Sequence, residues 1–123
     1  MRALVLDDSK TTRMILRRMF TNIGFEVFEG EDGAQGLKWI GEMGKPDLIT
    51  VDWDMPVMDG LAFVRSVRAE YPEEILPIIM IATANDQDHV STALKAGVNE
   101  YLMKPFTEEM VREKLELCGI LQD

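Results

Sequence analysis

Residues Leu48-Ile49-Thr50-Val51 run without a polar break into Asp52, and Trp53-Asp54-Met55-Pro56-Val57-Met58-Asp59-Gly60 follow, written LITVDWDMPVMDG. Aliphatic and β-branched residues in unbroken succession, rather than alternating with polar ones, mark a strand covered on both faces. Such strands belong to parallel sheets held between two layers of helix. Asp54 and Asp59 follow Asp52 within one loop. Crowding acids at the end of a core strand is costly unless a cation or a reaction sits there.

Working outward, the same rhythm repeats. Arg2–Asp7 (RALVLD) reads as a buried strand, and residues 9–24 as a helix. Ser9 caps it, Met14, Ile15, Met19 and Phe20 form its expected apolar stripe, and Gly24 stops it. FEVFE, 25–29, is the second strand. Residues 32–44 form a weaker helix carrying Leu37, Trp39 and Ile40, since internal glycines lower helix propensity. Residues 60–71 are helical up to Pro72, and PIIMIAT, 77–83, is a fourth strand. A helix over 86–97 ends at Gly97, NEYLMK at 99–104 is the fifth strand, and Pro105 stops it. Thr107 caps the last helix, with Glu108 and Glu109 in the first turn, where the helix dipole favours acids. The order is βαβαβαβαβα, and right-handed crossovers leave only a few doubly wound topologies.

Composition narrows the function. The 123 residues suffice for one domain, and 46% hydrophobic with 28% charged is ordinary for a globular chain. Thirteen Lys+Arg against 22 Asp+Glu give a net charge of −9, which makes nucleic acid and anionic membranes poor partners. The single cysteine, Cys118, rules out an internal disulfide and a thiolate metal cluster, and fits a reducing cytoplasm. His89 is the only histidine, so a metal here would be bound through oxygen, as Mg²⁺ is. The first apolar run is too short for a signal peptide, and no run approaches the length of a membrane span.

In doubly wound folds the ligand crevice lies beyond the carboxyl ends of the strands. The first strand delivers Asp7 and Asp8 there, and the third delivers Asp52 with Asp54 close behind. The fourth delivers Thr83, Ala84 and Asn85, and the fifth Lys104 and Pro105. Singly, an acidic pair after a strand is a turn or a helix cap, and a Lys-Pro is a loop. Together they place carboxylates, a hydroxyl and an ammonium on one edge. That set suits Mg²⁺ and a phosphoryl group: the acids hold a hard cation, one of them attacks phosphorus, and the ammonium and hydroxyl meet the phosphoryl oxygens.

LVLDDS, VDWDMPVMDG, IATAN and YLMKPFT, in this order and spacing, resemble the receiver domain of two-component response regulators, in particular its single-domain, CheY-like members. The resemblance spans the whole chain, 1–123, and implies a single receiver domain with no output domain. It implies a flavodoxin-like (βα)5 fold, a five-stranded parallel sheet of order 2-1-3-4-5 with helices on both faces. It makes Asp52 the acceptor of a phosphoryl group from the phosphohistidine of a sensor kinase. Asp7, Asp8, Asp52 and the backbone carbonyl of Asp54 would hold Mg²⁺, with Asp7 acting through water. Lys104 would pair with phosphoryl oxygens, Pro105 would set its approach through a cis peptide, and Thr83 and Tyr101 would be the switch pair. Asp54 and Asn85 occupy positions that tune the lifetime of the acyl phosphate.

The implied protein is a cytoplasmic, monomeric, phosphorylation-controlled switch rather than an enzyme. Its expected partners are a sensor histidine kinase or phosphotransfer domain, a downstream protein reached through the helix 4–strand 5–helix 5 face, and a phosphatase. Chemotaxis signalling to a flagellar motor switch is the favoured pathway, and a phosphorelay shuttle the alternative. The rival from another class is a haloacid dehalogenase-like phosphatase, whose Asp-x-Asp motif Asp52 and Asp54 superficially match. The upstream Asp7-Asp8 pair and the small size of the chain argue against it.

Other features are weighed against plainer readings. Lys10, Arg13, Arg17 and Arg18 make the first helix basic, as either a solvated face or a kinase-docking surface. Trp53 is expected to cover the site, Met55 and Met58 to shield it or to meet a partner, and His89 to lie exposed without a role.

Overall fold

A computed structural model describes residues 1–121. Its elements are β1 (Arg2–Leu6), α1 (Lys10–Ile23), β2 (Glu26–Gly30), α2 (Gly33–Met43), β3 (Leu48–Asp52), α3 (Gly60–Arg68), β4 (Ile78–Ala82), α4 (Gln87–Ala96), β5 (Glu100–Met103) and α5 (Glu108–Leu117), with a 3₁₀ turn at Ala84–Asp86 before α4. The sheet order is β2-β1-β3-β4-β5 and every pairing is parallel, as expected.

The unbroken apolar strands divide their residues between two cores. Leu4, Leu6, Ile49, Val51, Ile78 and Met80 pack with Ile40 of α2, Phe63 and Val67 of α3 and Ala93 of α4. Ala3, Val5, Ile79 and Ile81 pack on the other face with Leu16 and Phe20 of α1 and Val111 and Leu115 of α5. Burial on both faces explains why these strands lack the polar alternation of a half-exposed sheet.

Local chemistry ends the helices where the residues predict. Ser9, Asp32, Asp59 and Thr107 accept from Thr12, Gln35, Ala62 and Met110 amides, each three residues on. Gly24 and Gly97 take the left-handed conformation at φ 117° and 116° to close α1 and α4.

Three expectations need correction. The apolar stripe of α1 is only half as expected: Phe20 is buried and Met19 packs on the same core, but Met14 and Ile15 are 59% and 44% exposed, with Arg13 and Leu16 buried in their place. The helix turns this way because Arg13 reaches fixed acceptors and Leu16 and Phe20 meet the sheet. The third helix ends at Arg68, short of Tyr71, where the Arg68 side chain binds the carbonyls of Gly97, Tyr71 and Leu76 and the amide oxygen of Asn99. Met55 is a core residue, 6% exposed, and neither a shield nor a contact point, whereas Met58 is partly buried against the same cluster.

Candidate functional site: an aspartate cluster at the strand ends

Parallel pairing sets Leu6 beside Val51, Asp52 beside Ile81 and Ala82 beside Met103. The residues that follow therefore emerge on one edge. Asp7, Asp8 and Asp52 each bring a carboxylate oxygen within 4.8 Å of the others. Asp7 is fully buried, Asp52 is 9% exposed and Asp8 is exposed.

Asp7 is held from three sides. Its Oδ1 accepts from the Ser9 amide at 2.8 Å, and its carbonyl accepts from Arg13 Nη1 at 2.6 Å. Its N–H donates to the Gly30 carbonyl at 3.1 Å. Its Oδ2 is buried without a hydrogen bond, and Lys104 Nζ stands 3.6 Å away. Lys104 itself is anchored by its amide, which donates to the Ala82 carbonyl at 2.8 Å, and the Lys104–Pro105 peptide is cis.

Electrostatics follow from this packing. Burial pushes the Asp52 carboxyl up to about 7; the negative charge of Asp7 adds to the rise, while Lys104 and a hydrogen bond from the Asp54 backbone oppose it. Burial likewise raises Asp7, against the Ser9 hydrogen bond and Lys104. Neighbouring acids in low dielectric are short of positive charge. An all-oxygen donor set containing an orphaned, buried carboxylate oxygen fits a hard divalent cation.

The remaining predicted residues differ in exposure and in partners. Asp54 and Asn85 are exposed. Asp59 leaves the acid crowd altogether, since its carboxylate caps α3 at the Ala62 amide, 2.9 Å away. Thr83 is half-buried, and both its hydroxyl and its amide donate to Asp86 Oδ2, at 3.0 and 2.9 Å. Tyr101 lies on β5 with 36% exposure, and Lys114 Nζ sits 4.9 Å over its ring.

Arg13 is no part of a basic surface. It is buried against Asp7 and Glu29, and Arg17 is bonded to the same Glu29 at 2.5 Å. Lys10 and Arg18 remain exposed on α1, beside the exposed Met14 and Ile15. His89 is exposed on one side only: its ring stacks on Trp53 at 5.4 Å and 17°. Trp53 thus packs on His89 of α4. Asp86 and Arg13 are the neighbours that sequence reasoning missed. The spacing of Thr83-Ala84-Asn85-Asp86, like that of a capping box, is the signal that points to Asp86.

The profile of the response regulator receiver domain matches residues 3–116. The chain belongs to that family. The receiver is 44% identical over 117 residues to a chemotaxis protein CheY homolog of Campylobacter jejuni, covering 94% of this chain and 90% of that protein. It is 42% identical to chemotaxis protein CheY1 of Helicobacter pylori, covering 95% of each. Among solved structures, the chemotaxis response regulator CheY4 of Vibrio cholerae superposes with a TM-score of 0.84 at 29% identity, covering 95% of this chain and 97% of that one. The receiver is thus CheY-like in sequence and fold. Among the described residues, no helix is long and apolar enough to cross a membrane.

Proposed function

We propose that this receiver takes a phosphoryl group onto Asp52 from a phosphohistidine and relays the change to a partner protein. The observation that carries the reading is the convergence of Asp7, Asp8 and Asp52 within 4.8 Å, with Lys104 3.6 Å from Asp7. A carboxylate oxygen of Asp52 attacks phosphorus, the P–N bond breaks, and its electron pair returns to the histidine imidazole. Asp7, Asp8, Asp52 and the Asp54 carbonyl are the residues that would hold Mg²⁺. When bound, it neutralises the acids and the charge developing on the phosphoryl oxygens.

The protein's own groups do the rest. Lys104 pairs with the phosphoryl oxygens, and Pro105 shapes the loop that presents it. Thr83 donates its hydroxyl to the same group, and Tyr101 turns inward as Thr83 moves. Asp54 and Asn85, both exposed, tune the lifetime of the acyl phosphate. Phosphorylation then shifts the population of α4, β5 and α5 surfaces competent to bind a partner. The C. jejuni and H. pylori relatives are named as chemotaxis proteins, which supports a downstream target in chemotaxis, such as a flagellar motor switch. Lys10 and Arg18, with Met14 and Ile15, offer a mixed basic and apolar face for a kinase or phosphotransfer domain.

The test uses a small phosphodonor, phosphoramidate, with Mg²⁺. One equivalent of phosphate should attach to the chain, and none to Asp52→Asn. Release of many equivalents without a retained label would replace this reading with that of an Asp-x-Asp phosphatase.

A further inference from the structure

Thr83 has one hydroxyl proton, and a phosphoryl group on Asp52 is an acceptor with strong demand for it. The hydroxyl can reach that group only by releasing its present acceptor. That acceptor is Asp86, whose Oδ2 receives both the Thr83 hydroxyl at 3.0 Å and the Thr83 amide at 2.9 Å. The Asp86 amide in turn donates to the Thr83 carbonyl at 2.9 Å, closing a tight turn.

Asp86 is well placed to hold. Its side chain is only 16% exposed, and its other oxygen, Oδ1, lies 3.8 Å from His89 Nδ1. The His89 ring is in turn stacked on Trp53, the residue directly after Asp52. A continuous set of contacts therefore runs from the acceptor loop through Trp53, His89 and Asp86 to Thr83. Asp86 also stands at the N-cap of α4 yet makes no capping bond with its side chain. An N-cap aspartate ordinarily accepts from the amides of the first turn. Here the carboxylate bonds back to Thr83, as the third residue of a capping box that Thr83 opens.

We propose that Asp86 is a latch on Thr83, a positioning residue that holds the hydroxyl in the resting state and lowers the affinity of the site for a phosphoryl group. The proposal rests on the reading of Asp52 as phosphoacceptor. A hydrogen bond to an ionised carboxylate is stronger than one to a neutral acceptor, so the resting arrangement is favoured until a more highly charged acceptor appears. Release breaks the capping box at the start of the 3₁₀ turn that leads into α4, which links events at Asp52 to the partner-binding side of the molecule.

The experiment titrates the full chain with beryllofluoride and Mg²⁺, a stable mimic of the phosphoryl group, followed by Trp53 fluorescence. Asp86→Ala is expected to bind about three- to tenfold tighter than the parent. Asp86→Asn, which keeps an accepting oxygen without the charge, is expected to fall between. In a Thr83→Ala background the Asp86→Ala change should leave the affinity unaltered, because nothing remains to be released. Melting curves establish that each variant is folded. Unchanged or weaker binding by both folded Asp86 variants overturns the latch, as does an equal gain in the Thr83→Ala background. Failure is distinguishable at the lower level too: if phosphoramidate does not label the parent at Asp52, the phosphoacceptor reading falls and takes the latch with it.

Discussion

Lys104 Nζ stands 3.6 Å from Asp7 Oδ2, and that oxygen is buried with no hydrogen bond. The lysine is the cation that faces a carboxylate oxygen of this buried acid cluster, so it competes with any metal for the same oxygens. Lys104→Met should therefore bind Mg²⁺ more tightly, by about three- to tenfold at low salt, with the gain shrinking as salt screens the charges. In chelator the same variant should melt below the parent, because Asp7 and Asp52 lose their cation, and Mg²⁺ should close much of that gap. Titration by Trp53 fluorescence checks the first effect and calorimetry the second. Weaker Mg²⁺ binding by Lys104→Met would show that Lys104 organises the acids rather than competing for them.

Asp52 also gives the metal-free fold a predictable pH dependence. Its carboxyl lies at about 7 in the fold, against an ordinary value of 3.8. The folded state therefore keeps a proton that the unfolded chain has lost. Stability from this group is full below pH 4 and is lost as pH rises to about 7, by on the order of 2–4 kcal/mol. Asp7 shifts in the same direction and adds to the slope. Denaturant midpoints in chelator at pH 5 and pH 8 are the measurement. Asp52→Asn should exceed the parent at pH 8 and approach it at pH 5, and parallel pH profiles for the two proteins would contradict this assignment.

How much of this was legible in the residues depended on what fixes each position. The meeting of Asp7, Asp8, Asp52 and Lys104 was readable because parallel topology sends every strand end to one edge, whatever the details of packing. The orientation of α1 was not, because hydrophobicity alone favours turning Met14 and Ile15 inward. Three acceptors across the fold, the Asp7 carbonyl, Glu29 and Glu31, draw Arg13 in instead. Asp59 looked like one more acid in the cluster, but a helix start three residues before Ala62 needs an acceptor there. The Trp53–His89 stack was invisible, since nothing in the pattern brings a loop tryptophan to a particular face of α4.

Arg13 offers the sharpest test of that hidden order. Its side chain is 10% exposed and ties Asp7, at the end of β1, to Glu29 of β2. Arg13→Met keeps much of the volume and removes every donor, leaving a buried carbonyl and a half-buried acid underserved. The expected loss is on the order of 2–4 kcal/mol in denaturant midpoint, moderated by Arg17, which still pairs with Glu29. Mg²⁺ affinity should fall as well, since the Asp7–Asp8 turn loses a support. Arg13→Lys should recover only part of both, because an ammonium cannot fork between two acceptors as a guanidinium does. Arg18→Met, on the exposed side of α1, should stay within about 0.5 kcal/mol of the parent. Equal effects at Arg13 and Arg18 would mean that Arg13 is a surface charge after all.

The loop that follows Asp52 closes on Gly60. The Gly60 amide donates to the Trp53 carbonyl at 3.0 Å. A Cβ at this position would stand 2.6 Å from the Asp52 carbonyl oxygen and 3.0 Å from Trp53 Cα. Both obstacles are backbone, so no side chain can swing away to make room. Gly60→Ala must instead push the end of β3 from its place or open the turn into α3. A cost of about 1–3 kcal/mol is expected, as for overpacking in a core. The more telling effect is on the site: Asp52 and Trp53 move with the backbone, so Mg²⁺ affinity should fall and the Trp53 response to Mg²⁺ should shrink. Gly41→Ala is the control, because its Cβ meets nothing within 4 Å, and helix propensity there favours alanine. If Gly60→Ala melted like the parent and kept its Mg²⁺ response, the close approach of α3 to the acceptor strand would not constrain the site.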